Sequence, residues 1–185
     1  MDDRDAAVDV RVLQIGYQRA CKRLNADRWE RLSMHAFTSL FEALNWAVVI
    51  DDFIREHWTE NGRRLGWRWR QRVPNGALMD GVRFARNRVH HQWAMAISLE
   101  HLPATGAHAP RGADEPPFAW AWRSVEDLPS PHPEEHKKLG ANALAAHEHG
   151  HAMYKAELAG QPVRATLAGL NDLFAVALSK AGFHA

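Results

Sequence analysis

The chain has 185 residues, enough for one domain with a sizeable core, and 46% of them are apolar, including eight tryptophans. A formal net charge of +1 and a single cysteine, Cys21, exclude a uniformly basic nucleic-acid coat and any intramolecular disulfide. The N-terminal MDDRDAAVD lacks an apolar signal core, and no run reaches the ~18 apolar residues of a membrane span, so a cytoplasmic protein with no membrane partner is expected.

Residues 6–25 read as a first helix, with Leu13, Tyr17, Ala20 and Leu24 on one stripe and Val10 leading in. Cys21 reads as a small buried residue of this helix rather than a nucleophile. Ser33 is an N-cap candidate for a second helix over 33–57. There Phe37, Leu40, Phe41, Leu44, Val48 and Ile54 keep helical spacing, and Trp46, Val49, Ile50 and Phe53 widen the apolar face. A helix this apolar belongs at the centre of a bundle. Asp51 and Asp52 interrupt it, either as buried partners for arginines or as exposed residues near its end.

Residues 58–77 are punctuated by Gly62, Gly66, Pro74 and Asn75-Gly76. Within them LGWRWRQRV alternates, as a short strand or an exposed basic loop would. Residues 78–100 read as one amphipathic helix, with Leu78, Val82, Ala85, Val89, Trp93 and Ala96 on a shared face. From 101 to 133 the composition changes, and seven of the nine prolines fall there. An irregular insertion is expected, in which PFAWAWRSV is open to pairing with LGWRWRQRV as a short β-hairpin. Two more helices follow, over about 134–159 and 162–182, separated by Gly160 and opened by Pro162. Val163, Leu167, Leu170, Phe174, Ala177 and Leu178 form the stripe of the last one. The fold class is all-α, in a single domain spanning 1–185.

The chemistry concentrates on the third helix. Residues 63–88 carry eight arginines and one acid, Asp80, so a locally basic patch sits in a nearly neutral chain. At about 100° per residue, with Arg86 at zero, His90 falls near 40°, Arg83 near 60°, Asn87 near 100° and His91 near 140°. Two arginines, an amide and two imidazoles therefore share one arc beside the apolar stripe. Histidine suits proton transfer near neutral pH, and arginine offers a bidentate fork to phosphate oxygens. RNA supplies its own nucleophile in the 2′-hydroxyl. Its cleavage needs a base, an acid and a cation beside the phosphorane. The assignments are His91 as general acid/base, Arg86 as phosphate binder and Asn87 as orienting group. Arg83, Arg88, His90, Arg68 and Arg70 are the expected RNA contacts.

Arg86-Asn87 followed by His91 forms Arg-Asn-x-x-x-His. With the FTSLFEALNWAVVIDDFIRE and GVRFARNRVHHQWA stretches, it resembles the HEPN superfamily over about residues 33–100. The resemblance implies a HEPN-like helical bundle and a metal-independent endoribonuclease of toxin or defence type. It also implies a homodimer whose two motifs meet in one RNA-binding cleft, with an antitoxin protein as a further partner. Compact HEPN domains carry the motif helix late, whereas here residues 101–185 follow it. Because Arg86 and His91 stand about 140° apart on one helix, two copies related by a two-fold axis would gather them around a phosphate better than one.

Two other readings stay open. One is a non-catalytic HEPN-like module that binds RNA or protein. The other is a zinc-dependent hydrolase, because His147-Glu148-His149-Gly150-His151 satisfies His-Glu-x-x-His. A solvated His-rich face explains that match more simply, since Glu157 on a continuous helix points away from His151 and no later Glu supplies a third ligand. Trp67 and Trp69, interleaved with Arg68 and Arg70, suit either base stacking or strand packing. Trp120 and Trp122 suit strand packing.

Overall fold

The computed structural model describes residues 3–26, 34–92, 97–101, 118–128 and 140–183, and no side chains at 3–9, 34–35, 89–92, 99–101 and 118–119. Within them the elements are α1 (Asp3–Ala26), α2 (Met34–His57), β1 (Thr59–Glu60), β2 (Arg63–Arg64) and the 3-10 helix η1 (Gly66–Arg72). Then come α3 (Ala77–Gln92), β3 (Ile97–His101), β4 (Phe118–Trp122), α4 (Ala141–Glu157) and α5 (Val163–Lys180). The protein is all-α in class, and among the described residues the helices are joined by two small antiparallel strand pairs. Among the described residues no helix is long and apolar enough to cross a membrane.

α1 and α2 pack antiparallel, with Gly16 against the Trp46 ring and Arg23 paired with Glu42. α2 is the central element, as its all-round apolar sequence requires. Leu40, Ala43, Leu44, Ala47, Ile50 and Ile54 are buried, and α2 meets α1, α3, η1 and α5. The Tyr17 hydroxyl of α1 donates to the Leu167 carbonyl at 2.8 Å, and its ring meets Phe174 edge-on at 5.7 Å. Burial pushes that phenol well above its ordinary pKa, so it remains a donor.

α3 lies antiparallel to α4 at close range. Glycines make this possible. A Cβ on Gly81 would stand 2.8 Å from a Leu158 methyl and 3.2 Å from the Met153 carbonyl, and one on Gly150 would stand 3.2 Å from the Phe84 Cβ. Gly160, at φ +72°, ends α4 where the sequence places its stop, and Pro162 caps α5.

Two expectations are corrected. The third helix does not run to residue 100, because Ile97–His101 is a strand paired with Phe118–Trp122, from Ile97↔Trp122 to His101↔Phe118. Ile-Ser-Leu-Glu has the period-two alternation of a half-buried strand, and the long-range partner decides in its favour. LGWRWRQRV does not supply the hairpin partner. Residues 66–72 form η1 instead, where positions two apart point to different sides, so Trp69 is buried while Trp67 is exposed. Of the insertion predicted over 101–133, residues 102–117 and 129–133 lie outside the described residues, as do Ser33 and residues 134–139 of the predicted fourth helix.

The β3–β4 pair is stapled to the α4–α5 turn. Trp122 N–H donates to the Gln161 carbonyl at 3.0 Å and Gly160 N–H to the Trp122 carbonyl at 2.9 Å. The buried Trp122 Nε1 donates to Thr166 Oγ1 at 2.8 Å. Thr166→Val keeps the shape but removes the acceptor of the buried Trp122 N–H. It should cost about 1–3 kcal/mol, read as a lower urea midpoint with an unchanged m-value.

Candidate functional site

The α2–α3 surface gathers the chemistry-bearing side chains. At its centre is Asp51, fully buried in α2. Arg70 clamps it in bidentate fashion, Nε donating to Oδ1 at 3.0 Å and Nη2 to Oδ2, and Arg83 Nε also donates to Oδ2. The second fork of Arg70 reaches Asp80, and that of Arg83 reaches Asp52. Arg55 approaches Asp52 at 3.6 Å and pairs with Glu56 at 2.6 Å. His149 of α4 lies 3.4 Å from the far oxygen of Asp80. Of the two readings left open for Asp51 and Asp52, burial holds for Asp51, while Asp52 is partly exposed and also paired.

Over this network lies the Trp67 ring, with the guanidinium carbons of Arg55, Arg83 and Arg70 at 4.4, 4.6 and 4.7 Å from its centroid. Three cations crowd one indole because Asp51, Asp52 and Asp80 offset their charge and the ring quadrupole favours them. Trp69 packs inward toward Trp58 at 6.4 Å. Of the expected RNA contacts, Arg70 and Arg83 are therefore held in ion pairs, and Arg70 is nearly buried. Arg68 is exposed, with Nε 3.5 Å from the Leu65 carbonyl.

Arg86 differs from them. Its Nε donates to Asn45 Oδ1 of α2 at 3.0 Å and its Nη1 to Asn87 Oδ1 at 3.2 Å. Both acceptors are neutral amides, and among the described residues no carboxylate pairs with Arg86. The side chain is oriented at two nitrogens yet keeps its whole positive charge at a partly exposed position. The structure thus brings Arg86 and Asn87 together, adding Asn45. Asn45, Val49 and Asp52 recur on one face of α2 at spacings of four and three. Val49 is an exposed apolar residue between the partners of Arg86 and Arg83.

Arg88 points elsewhere: it is buried, with its guanidinium 5.8 Å from the Phe84 ring, and does not join the Arg86 surface. The predicted groups His90 and His91 stand on α3, which runs through Gln92, and their side chains lie outside the described residues.

His147 and His151 occupy the opposite flank of α3. Both rings pack against Phe84, at 5.4 and 5.6 Å, and Tyr154 completes the aromatic cluster at 5.5 Å. Their spacing of four reflects a helix face wrapped around a phenylalanine. Among the described residues no three His, Cys, Asp or Glu side chains are gathered to hold a metal ion. The Tyr154 hydroxyl donates to the Arg123 carbonyl at 2.8 Å, and burial raises its pKa.

Sequence reasoning missed the parts of this site that depend on pairing across the fold: Asn45 against Arg86, Trp67 among three cations, and Asp80 between Arg70 and His149. The readable signal was Asp51-Asp52 within an otherwise apolar helix. No protein-family model, no curated protein and no solved structure matches the chain.

Proposed function

We propose that the α2–α3 surface is the working face of a metal-independent endoribonuclease of HEPN-like, toxin or defence type. The observation that carries this reading is Arg86: a guanidinium oriented by two amide oxygens, with its charge left uncompensated by any carboxylate among the described residues. Such a group binds a phosphate oxygen without first breaking an ion pair. In the reaction the RNA 2′-oxygen attacks the adjacent phosphorus as His91 takes its proton. The phosphorane charge falls to Arg86, and the 5′-oxygen leaves with a proton from a histidine. Asn87 holds Arg86, so its role is to position the cation.

Arg86 and His91 are five positions apart on one helix, about 140° around its axis, so two copies gather such residues around one phosphate better than one copy does. The active form is therefore a homodimer in which each copy's Arg86 works with the other's His91. The exposed Val49 beside Asn45 supports a second copy of the chain as what covers this face. An antitoxin protein would compete for the same surface, in the cytoplasm.

The test is chemical. Purified protein should cut single-stranded RNA in EDTA and leave a 2′,3′-cyclic phosphate and a 5′-hydroxyl. Cleavage that appears only on adding zinc would overturn the reading and transfer attention to His147 and His151. Light scattering should give about twice the 20.9 kDa chain mass. Val49→Glu should halve that mass and abolish cleavage while leaving the melting temperature within a few degrees, since surface changes usually lie within about ±0.5 kcal/mol. A wild type that cleaves as a monomer would remove the shared site.

A further inference from the structure

We infer that the β1–β2 hairpin and the exposed start of η1 form a docking finger for single-stranded RNA, feeding the Arg86 surface. The inference rests on the ribonuclease reading for its substrate class, and on separate residues for its evidence.

The finger is built to project. Thr59↔Arg64 and Glu60↔Arg63 pair across a two-residue loop. In that loop Asn61 and Gly62 both have positive φ, at 52° and 72°, as a type I′ turn requires. All four strand residues are exposed, and a Cβ on Gly62 would meet nothing within 4 Å. The base is anchored: Leu65 N–H donates to the Trp58 carbonyl at 3.0 Å, and Arg72 of η1 pairs with Glu60 at 2.9 Å. Arg63 and Arg64 are thus held out on a fixed support. Among the described residues neither has a carboxylate within ion-pair distance, unlike Arg70 and Arg83 in the network below. Exposed, uncompensated and closely spaced cations bind a polyanion by releasing its counterions.

The aromatic component distinguishes a nucleic acid from any other polyanion. Trp67 is the one exposed tryptophan among the described residues. Arg55 lies over its ring at 4.4 Å, with its edge bonded to Glu56 and its side chain 31% exposed. Bases stack on guanidinium planes as well as on aromatic rings. The Trp67–Arg55 pile therefore offers a stacking platform with its ion pair at the edge, where it does not block a base. Arg83 also touches Trp67, and Arg86 follows one helical turn later, about 4.5 Å along the axis. A short single strand can lie on the finger and reach the Arg86 phosphate site.

The probe is a fluorescently labelled mixed-sequence RNA with 2′-O-methyl groups throughout. It keeps charge and bases but lacks the nucleophile, so binding is measured without cleavage. Wild type should bind it with a steep salt dependence. The Arg63→Ala, Arg64→Ala double variant, altered only at exposed side chains, should bind more weakly, with a log–log salt slope shallower by about 1.4. The probe should quench tryptophan emission, and Trp67→Phe should remove most of that quench.

An unchanged slope in the double variant, or an undiminished quench in Trp67→Phe, overturns the finger even if the wild type cleaves RNA. If the finger variants lose binding and the wild type cleaves nothing, the docking surface stands and the ribonuclease reading falls. Binding of polyglutamate with none of the RNA probe overturns the inference and assigns the hairpin to an acidic protein.

Discussion

Asp51→Ala is expected to lower the stability of the fold by about 3–5 kcal/mol, the range for removing one partner of a buried ion pair. The cause lies less in the lost attraction than in what remains. Arg70 and Arg83 both converge on this one fully buried carboxylate, and Arg70 is itself nearly buried. Without Asp51 two guanidiniums face each other beneath Trp67, and Asp80 and Asp52 offset each at one fork only. For a domain of this size the loss corresponds to roughly 6–20 °C in Tm, at about 2–4 °C per kcal/mol. Asp52→Ala is the internal control. Its carboxylate is 38% exposed, so water screens the vacancy, and the change should cost less than about 1 kcal/mol. Urea melts of both variants make the comparison. Equal, small losses would mean that Asp51 is solvated and that the network does not organise the α2–η1–α3 junction.

The same network marks how far the sequence could be read. Helical periodicity identified α1, α2 and α5 because each buries residues set by its own spacing, whereas α4 was legible only from its Ala- and His-rich composition and from Gly160 and Pro162, which mark a boundary by local chemistry alone. Periodicity failed at the end of α3, where Ala96 continues the helical stripe into a segment whose strand character depends on Phe118–Trp122. A partner across the long 102–117 connection leaves no local trace. Trp67 and Trp69 look alike in sequence, and only the 3-10 geometry sends one inward and the other outward. Charge was legible only in part. Eight arginines between 63 and 88 signal a basic patch, but Asp51, 32 positions before Arg83, turns that arginine into a structural cation. Arg86, three positions further along the same helix, meets Asn45 instead, and no carboxylate among the described residues offsets its charge. Composition cannot separate the two, because the difference lies in which α2 side chain stands opposite.

His91→Ala is expected to reduce RNA cleavage about 10²–10⁴-fold, the usual contribution of a positioned proton-transfer group. An ordinary histidine carries little charge at pH 7, so affinity for a non-cleavable RNA should change little. Arg86→Ala should act differently. It removes a permanent cation and its fork, so cleavage and affinity should fall together, and the log–log salt slope should flatten by about 0.7 for one lost phosphate contact. Stability should hold in the second variant, because the orphaned oxygens of Asn45 and Asn87 are not buried and can turn to water. The decisive measurement pairs single-turnover cleavage with affinity and a thermal melt for each protein. The dimer adds a sharper test. Mixing inactive His91→Ala with inactive Arg86→Ala should restore activity in the heterodimer, where one of its two sites receives an intact Arg86 from one copy and an intact His91 from the other. At random mixing half of the dimers are heterodimers with one restored site each, so recovery should approach about a quarter of the wild-type rate. If the mixture stays inactive although subunits exchange, the two residues act within one chain and the shared site is wrong. If both single variants cleave like the wild type, the motif plays no part in catalysis, and the Arg86 surface serves binding alone.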